Sequence, residues 1–284
     1  MKILLTGANG QLGRCFQDRL PQNWQVWATD SAELDITNKD EVLAATKKYQ
    51  PDVIVNAAAY TAVDKAESEP EIAAQVNTLG PMNLALGAKA VNARLVHVST
   101  DYVFDGMSTY PYVESDATNP LGVYGKTKLD GELAVAETLP ESIIIRTAWV
   151  FSEYGNNFVK TMIRLAKDRD ELKIVADQCG CPTYAGDIAS AIINLIHIKA
   201  VGGIYHYCGD LETSWDLFAQ KIIDCAFDSK IISSKPIIKA ISTSEYPTPA
   251  KRPKYSSLCV DKINALNIPS SNWNDALHEI IPKI

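Results

Sequence analysis

The chain has 284 residues, about two domains' worth of polypeptide, and its 46% apolar and 21% charged residues exclude a disordered segment or a disulfide-stapled miniature. The 27 Lys and Arg against 34 Asp and Glu leave a net charge of −7, which excludes a general electrostatic pull towards nucleic acid or an anionic membrane. Any phosphorylated ligand has to be held locally.

Residues 2–6 form a short apolar run without polar alternation, as in a strand covered on both faces of a parallel sheet. The run is far too short for a signal segment or a membrane span, so it reads as structure in a cytoplasmic protein. Similar runs recur at Gln25–Ala28, Val53–Val55, Leu95–Val98 and Ile143–Ile145, with helix-like stretches between them. Asn38 followed by Glu41 predicts a capping box that opens a helix over 39–49, and Pro51 closes it. An Ala-rich stretch over 71–90 predicts a long helix bounded near Pro70. This alternation predicts an α/β fold with a Rossmann-like, doubly wound parallel sheet.

Beyond about residue 150 the chain turns irregular and polar, as at Glu153–Asn157 and Ser242–Pro253. The expected division is a dinucleotide-binding domain over 1–150, with 187–198 packing back on it, and a smaller α/β substrate-binding domain over 151–284. Of the six cysteines (Cys15, Cys179, Cys181, Cys208, Cys225, Cys259) only Cys179 and Cys181 are close, and no second pair completes a metal cage. Reduced thiols and no metal are expected.

Gly7, Gly10 and Gly13 stand at three-residue intervals directly after the first strand, where a helix would begin. Such a loop gives a tight turn, close backbone approach to a pyrophosphate, and free N–H groups for an anion. Asp30 ends the second run, 23 residues after Gly7, where a carboxylate accepts hydrogen bonds from an adenosine ribose. An acid there disfavours a 2′-phosphate while Arg14 favours one, so NADH and NADPH both stay open. Asp35 and Ile36 flank the adenine position, and the small run Ala57–Ala59 lets a cofactor lie close to the backbone.

Tyr124 and Lys128 are four residues apart, on one face of any helix that opens there. A nearby ammonium favours the phenolate and is expected to bring Tyr124 towards a useful proton-exchange range. Thr100 follows the fourth strand, at the carboxyl end where open α/β sheets bind ligands, and its hydroxyl can bond a carbonyl oxygen that Tyr124 protonates.

These residues resemble the extended short-chain dehydrogenase/reductase family, most narrowly its dTDP-4-dehydrorhamnose reductase branch. The likeness is carried by the Gly7–Gly13 loop and the blocks Asn56–Glu67, Ser99–Gly106, Tyr124–Lys128 and Arg146–Trp149, with Arg252, Pro253, Ser256 and Leu258. It implies reduction of the C4 ketone of a dTDP-4-keto-6-deoxy-L-sugar by NADPH or NADH, in dTDP-L-rhamnose and surface polysaccharide synthesis. By the same resemblance Thr100, Tyr124 and Lys128 are catalytic. Gly10, Gln11, Leu12, Asp30, Asp35, Ile36, Ala59, Tyr60 and Thr61 line the cofactor, and Thr100, Asp101 and Trp149 touch the sugar nucleotide. Arg252, in the basic patch 251–254, is a candidate for its pyrophosphate.

Some relatives dimerise through a magnesium ion on glutamates, one of them just after the glycine loop. Here Arg14 and Cys15 stand there, so a monomer or weak homodimer without metal is expected. A dehydratase would carry Thr-Asp-Glu where this chain has Thr100, Asp101 and Tyr102. The competing readings are a reductase or epimerase of another dTDP-4-keto-6-deoxysugar, and a non-catalytic cofactor-binding regulatory subunit.

Overall fold

In the computed structural model, which describes residues 1–284, strand β1 (Lys2–Thr6) sends Ile3 and Leu5 to one face of a sheet and Leu4 to the other. All three side chains are fully buried, as a central parallel strand requires. The chain continues through α1 (Gln11–Asp18), β2 (Gln25–Thr29), α2 (Lys39–Tyr49), β3 (Val53–Asn56), the one-turn α3 (Val63–Ala66), α4 (Pro70–Ala74), a π-helical turn (Gln75–Leu79), α5 (Gly80–Ala90) and β4 (Arg94–Thr100). Then come α6 (Val123–Thr138), β5 (Ile143–Thr147), β6 (Val150–Phe151), α7 (Phe158–Asp168), β7 (Glu171–Val175), β8 (Cys179–Gly180), β9 (Thr183–Tyr184), α8 (Ala185–His197) and β10 (Gly203–His206). The last stretch holds β11 (Thr213–Ser214), α9 (Trp215–Asp228), β12 (Ile237–Ile241), α10 (Asp261–Asn264) and α11 (Trp273–Ile280).

Six strands form one parallel sheet in the order β10-β5-β4-β3-β1-β2. The order reverses between β1 and β3, which opens the crevice where such sheets bind ligands. Helices α2, α5 and α6 cover one face, and α1 and α8 cover the other together with the larger core. Two of the sheet's supports come from beyond residue 150: α8 packs on α1, and β10 extends the sheet beside β5. The remaining elements pair in twos, β7 with β12, β8 with β11 and β6 with β9.

Local sequence explains the helix ends. Asn38 Oδ1 accepts the Glu41 N–H at 3.3 Å, the first half of a capping box. The second half is absent, because the Glu41 carboxylate turns to the Asp35 N–H at 3.2 Å. The long helix expected over 71–90 starts with Pro70 at its first turn and is interrupted by the π-helical turn. That turn places Asn77 so that its amide brackets the Tyr60 backbone at 2.8 and 3.1 Å and reaches Thr127 Oγ1 at 3.2 Å.

Helix α6 is fixed to the sheet by a buried ion pair. Glu132 accepts three hydrogen bonds of 2.7–3.2 Å from Arg146 on β5, and both side chains are only 3% exposed. Removing one partner strands a buried charge, whereas replacing both with apolar groups removes the desolvation cost as well. Arg146→Met alone is therefore expected to cost about 3–5 kcal/mol in urea unfolding. The double variant Glu132→Met/Arg146→Met is expected to recover most of that loss. Equal losses in the single and double variants would contradict this account.

Candidate active site

A cleft of about 560 Å³ opens over the carboxyl ends of β1, β3 and β4. Gly7 takes the left-handed conformation at φ 73°, and a Cβ there would lie 2.6 Å from the backbone of Ala57 and Ala58. Gly13 lets α1 begin directly beneath the loop, since a Cβ would fall 2.2 Å from the Gly7 carbonyl oxygen. The resulting bare-backbone cradle at a helix N-terminus fits a dinucleotide pyrophosphate.

Gly7, Gly10, Gln11, Leu12, Asp30, Asp35, Ile36, Ala59, Thr61, Tyr124 and Lys128 all line the cleft. Gly13 lies beneath it as packing. Tyr60 is turned away, its phenol donating to Glu69 at 2.6 Å. Asp30 accepts from Asn9 Nδ2 at 2.6 Å and from the Ala32 N–H at 2.9 Å, which fixes its carboxylate at the rim. Arg14 does not reach Asp30, because its guanidinium sits 5.6 Å above the Tyr154 ring. Lys128 is the only cationic side chain lining the cleft, and none stands at the Asp30 end.

Tyr124 falls in the first turn of α6 and Lys128 one turn on, so both project from the face turned to the cleft. Lys128 is 2% exposed, and its Nζ donates to the Val98 carbonyl at 2.7 Å. Burial pulls its pKa down to about 8, with Glu132 acting in the opposite sense. The expected lowering of the phenol pKa is not found. Burial pushes Tyr124 up to about 12, the Thr100 hydroxyl pulls it down, and the Asp101 carboxylate pushes it up. Desolvation wins, so the phenol carries its proton at neutral pH, the form a proton donor needs.

Thr100 closes the inner end of this group. Its buried hydroxyl donates to Asp101 Oδ1 at 3.0 Å and accepts the Tyr102 N–H at 3.2 Å. Asp101 is buried with Oδ2 unpaired, and burial raises its pKa to about 6. Tyr102 packs edge-on against Tyr124, with ring centroids 5.5 Å apart. Trp149 follows β5 with φ 45° and stacks flat on Trp215, 3.5 Å between centroids. Arg252 is held away from the cleft by Asp64, at 2.8 and 3.1 Å.

Sequence reasoning missed Ser99 and Thr147. Both line the cleft with buried hydroxyl oxygens that lack a partner. Their signal was position, since each sits at the carboxyl end of a central strand. Asn9 also lines it from within the glycine loop and Val76 from the π-helical turn, while Ser31, Thr37 and Asn156 reach it from loops that no local pattern marks.

The family described as the RmlD substrate binding domain matches residues 1–284. A dTDP-4-dehydrorhamnose reductase of Aggregatibacter actinomycetemcomitans is 50% identical over 287 residues, covering 98% of each chain. The crystal structure of a dTDP-4-dehydrorhamnose reductase from Clostridium acetobutylicum superposes with a TM-score of 0.93 at 44% identity, covering 99% of this chain and 98% of that one. That of a dTDP-4-dehydrorhamnose reductase from Bacillus anthracis, in complex with NADP, superposes with a TM-score of 0.94 at 38% identity, covering 100% and 99%.

Proposed function

The chain belongs to the RmlD family of dTDP-4-dehydrorhamnose reductases, and from that premise we propose that it reduces the C4 ketone of dTDP-4-dehydro-β-L-rhamnose to dTDP-β-L-rhamnose. The reductant is NADH or NADPH. The observation that carries this reading is that Tyr124 and Lys128 line the inner end of the dinucleotide cleft, with the Thr100 hydroxyl beside the Tyr124 phenol just behind its wall. The product serves dTDP-L-rhamnose supply for surface polysaccharide. The reading places the enzyme in the cytoplasm, where six free cysteines stay reduced, and takes it as a monomer or weak homodimer.

Residues 1–150 hold the cofactor with the support of α8 and β10, and the rest of 151–284 closes over the sugar nucleotide. The Gly7–Gly13 loop takes the pyrophosphate, Asp30 the adenosine ribose, and Lys128 the nicotinamide ribose. The chemistry that a bound nicotinamide supplies is hydride transfer to the ketone carbon. Thr100 donates a hydrogen bond to the ketone oxygen as charge develops there, its one hydroxyl proton turning to that oxygen from Asp101 Oδ1. Tyr124 gives the same oxygen its proton, an exchange favoured because an alkoxide is far more basic than a phenolate, even one whose conjugate acid has a pKa of about 12. Asp101 and Trp149 contact the sugar nucleotide. Arg252 meets the diphosphate only by leaving Asp64, which gives that contact an exchange cost.

The assay is NAD(P)H absorbance with dTDP-4-dehydro-β-L-rhamnose. Tyr124→Phe is expected to lower kcat by about 100-fold or more while NADPH binding survives. No oxidation by the unmodified chain with either cofactor would sink the reductase reading. Near-normal turnover of the phenylalanine variant would show that the proton comes from elsewhere.

The buried lysine sets a pH dependence. Lys128 has its pKa lowered to about 8, so its ammonium is present below that pH and lost above it, well short of the ordinary lysine range. kcat/KM, which reports groups of the free enzyme, is expected to fall as pH rises through about 8. A flat profile up to the ordinary lysine range would contradict the role given to this charge.

A further inference from the structure

Helix α6 begins without a cap of its own. Its N-cap is Gly122, which has no side chain, and its first turn contains no acidic residue. The Val123 N–H, unpaired within the helix, donates instead to Oε1 of Glu67, 56 residues earlier in the chain, at 2.9 Å. Gly122 is what admits the carboxylate, because a Cβ there would lie 2.6 Å from that same oxygen. The residue after Val123 is Tyr124.

Glu67 is itself held in place. It follows α3 directly, and one turn back Asp64 accepts from Arg252 at 2.8 and 3.1 Å and from the Ala250 N–H at 3.2 Å. The short helix α3 thus joins segment 250–252 to the start of α6. The other anchors of α6 act later along it: Thr127 on Asn77, Lys128 on Val98 and Glu132 on Arg146. Tyr102 packs against the turn that carries the phenol, but the only hydrogen bond that reaches its backbone from outside the helix is that of Glu67, whose charge also complements the positive end of the helix dipole.

We propose that Glu67 is a positioning residue for Tyr124: it caps the catalytic helix from a distant loop and sets where the phenol stands relative to Thr100. It touches neither the cofactor cleft nor the reacting oxygen. Its loss leaves Lys128 and the dinucleotide cradle in place and loosens the phenol. The kinetic part of this inference rests on the reductase reading.

The test compares Glu67→Ala and Glu67→Gln in the full chain with NADPH bound. The alanine variant is expected to lower kcat by roughly tenfold or more while the KM for NADPH stays within about twofold. Glutamine keeps an acceptor oxygen and is expected to restore most of kcat. In a Tyr124→Phe background the alanine change is expected to cost nothing further, because Glu67 acts through that phenol. Amide hydrogen exchange over residues 123–126 is expected to quicken in the alanine variant and not in the glutamine variant. Unchanged exchange there overturns the inference whether or not the chain turns over, as does unchanged kcat in an active chain. An unmodified chain that oxidises neither NADPH nor NADH overturns the reductase reading instead, and the exchange comparison still decides the positioning.

Discussion

An ammonium group with 2% exposure is costly unless its lost water is replaced, and at Lys128 the replacement in the protein is one carbonyl oxygen, that of Val98 at 2.7 Å. The contact ties a helix to the carboxyl end of a central strand with little tolerance in height or rotation. Much of the architecture serves it. Gly125 lets α6 come so near the Tyr102 carbonyl that a Cβ would stand 2.2 Å from that oxygen, and Gly131 does the same against the Asn77 carbonyl at 2.1 Å. The Glu132–Arg146 pair then holds the middle of the helix to β5. The ion pair is best understood as registration of the helix, because a buried pair stabilises little beyond what apolar packing would.

With the helix so placed, desolvation divides the work between the two ionisable groups it turns to the cleft. The same burial that drives the Tyr124 phenol up to about 12 brings Lys128 down to about 8. The phenol keeps its proton at neutral pH, as the proposed proton donor must, and the lysine stays charged only while the pH remains below its lowered value. The other end of the cleft carries no cationic side chain. What the cleft offers there is a bare-backbone loop, a helix N-terminus and the carboxylates of Asp30 and Asp35, in a chain of net charge −7.

The buried strands were legible because a parallel strand covered on both faces reads as an unbroken apolar run, as Ile3–Leu5 and Ile143–Ile145 do. β10 was not, since Gly203, Ile204, Tyr205 and His206 make no such run and are recruited only by pairing with β5. The π-helical turn at 75–79 was hidden because it keeps the composition of the α-helices around it. In the cleft, Gly7, Asp30, Tyr124 and Lys128 could be placed from spacing and strand ends. The direction of the Tyr124 shift could not, because charge and burial oppose each other there and spacing says nothing of depth. Contacts such as Arg252 with Asp64, Trp149 with Trp215 and Glu67 with Val123 join segments far apart in the chain, and no local pattern announces them.

The most direct test of the account follows the atom that is transferred. Product formed from dTDP-4-dehydro-β-L-rhamnose with reduced nicotinamide deuterated at its transferable position is examined by NMR. The account predicts dTDP-β-L-rhamnose carrying one deuterium at C4 of the sugar, lost in step with turnover when Tyr124 is replaced by Phe. Substrate recovered unreduced, or a product without deuterium at C4, would contradict it.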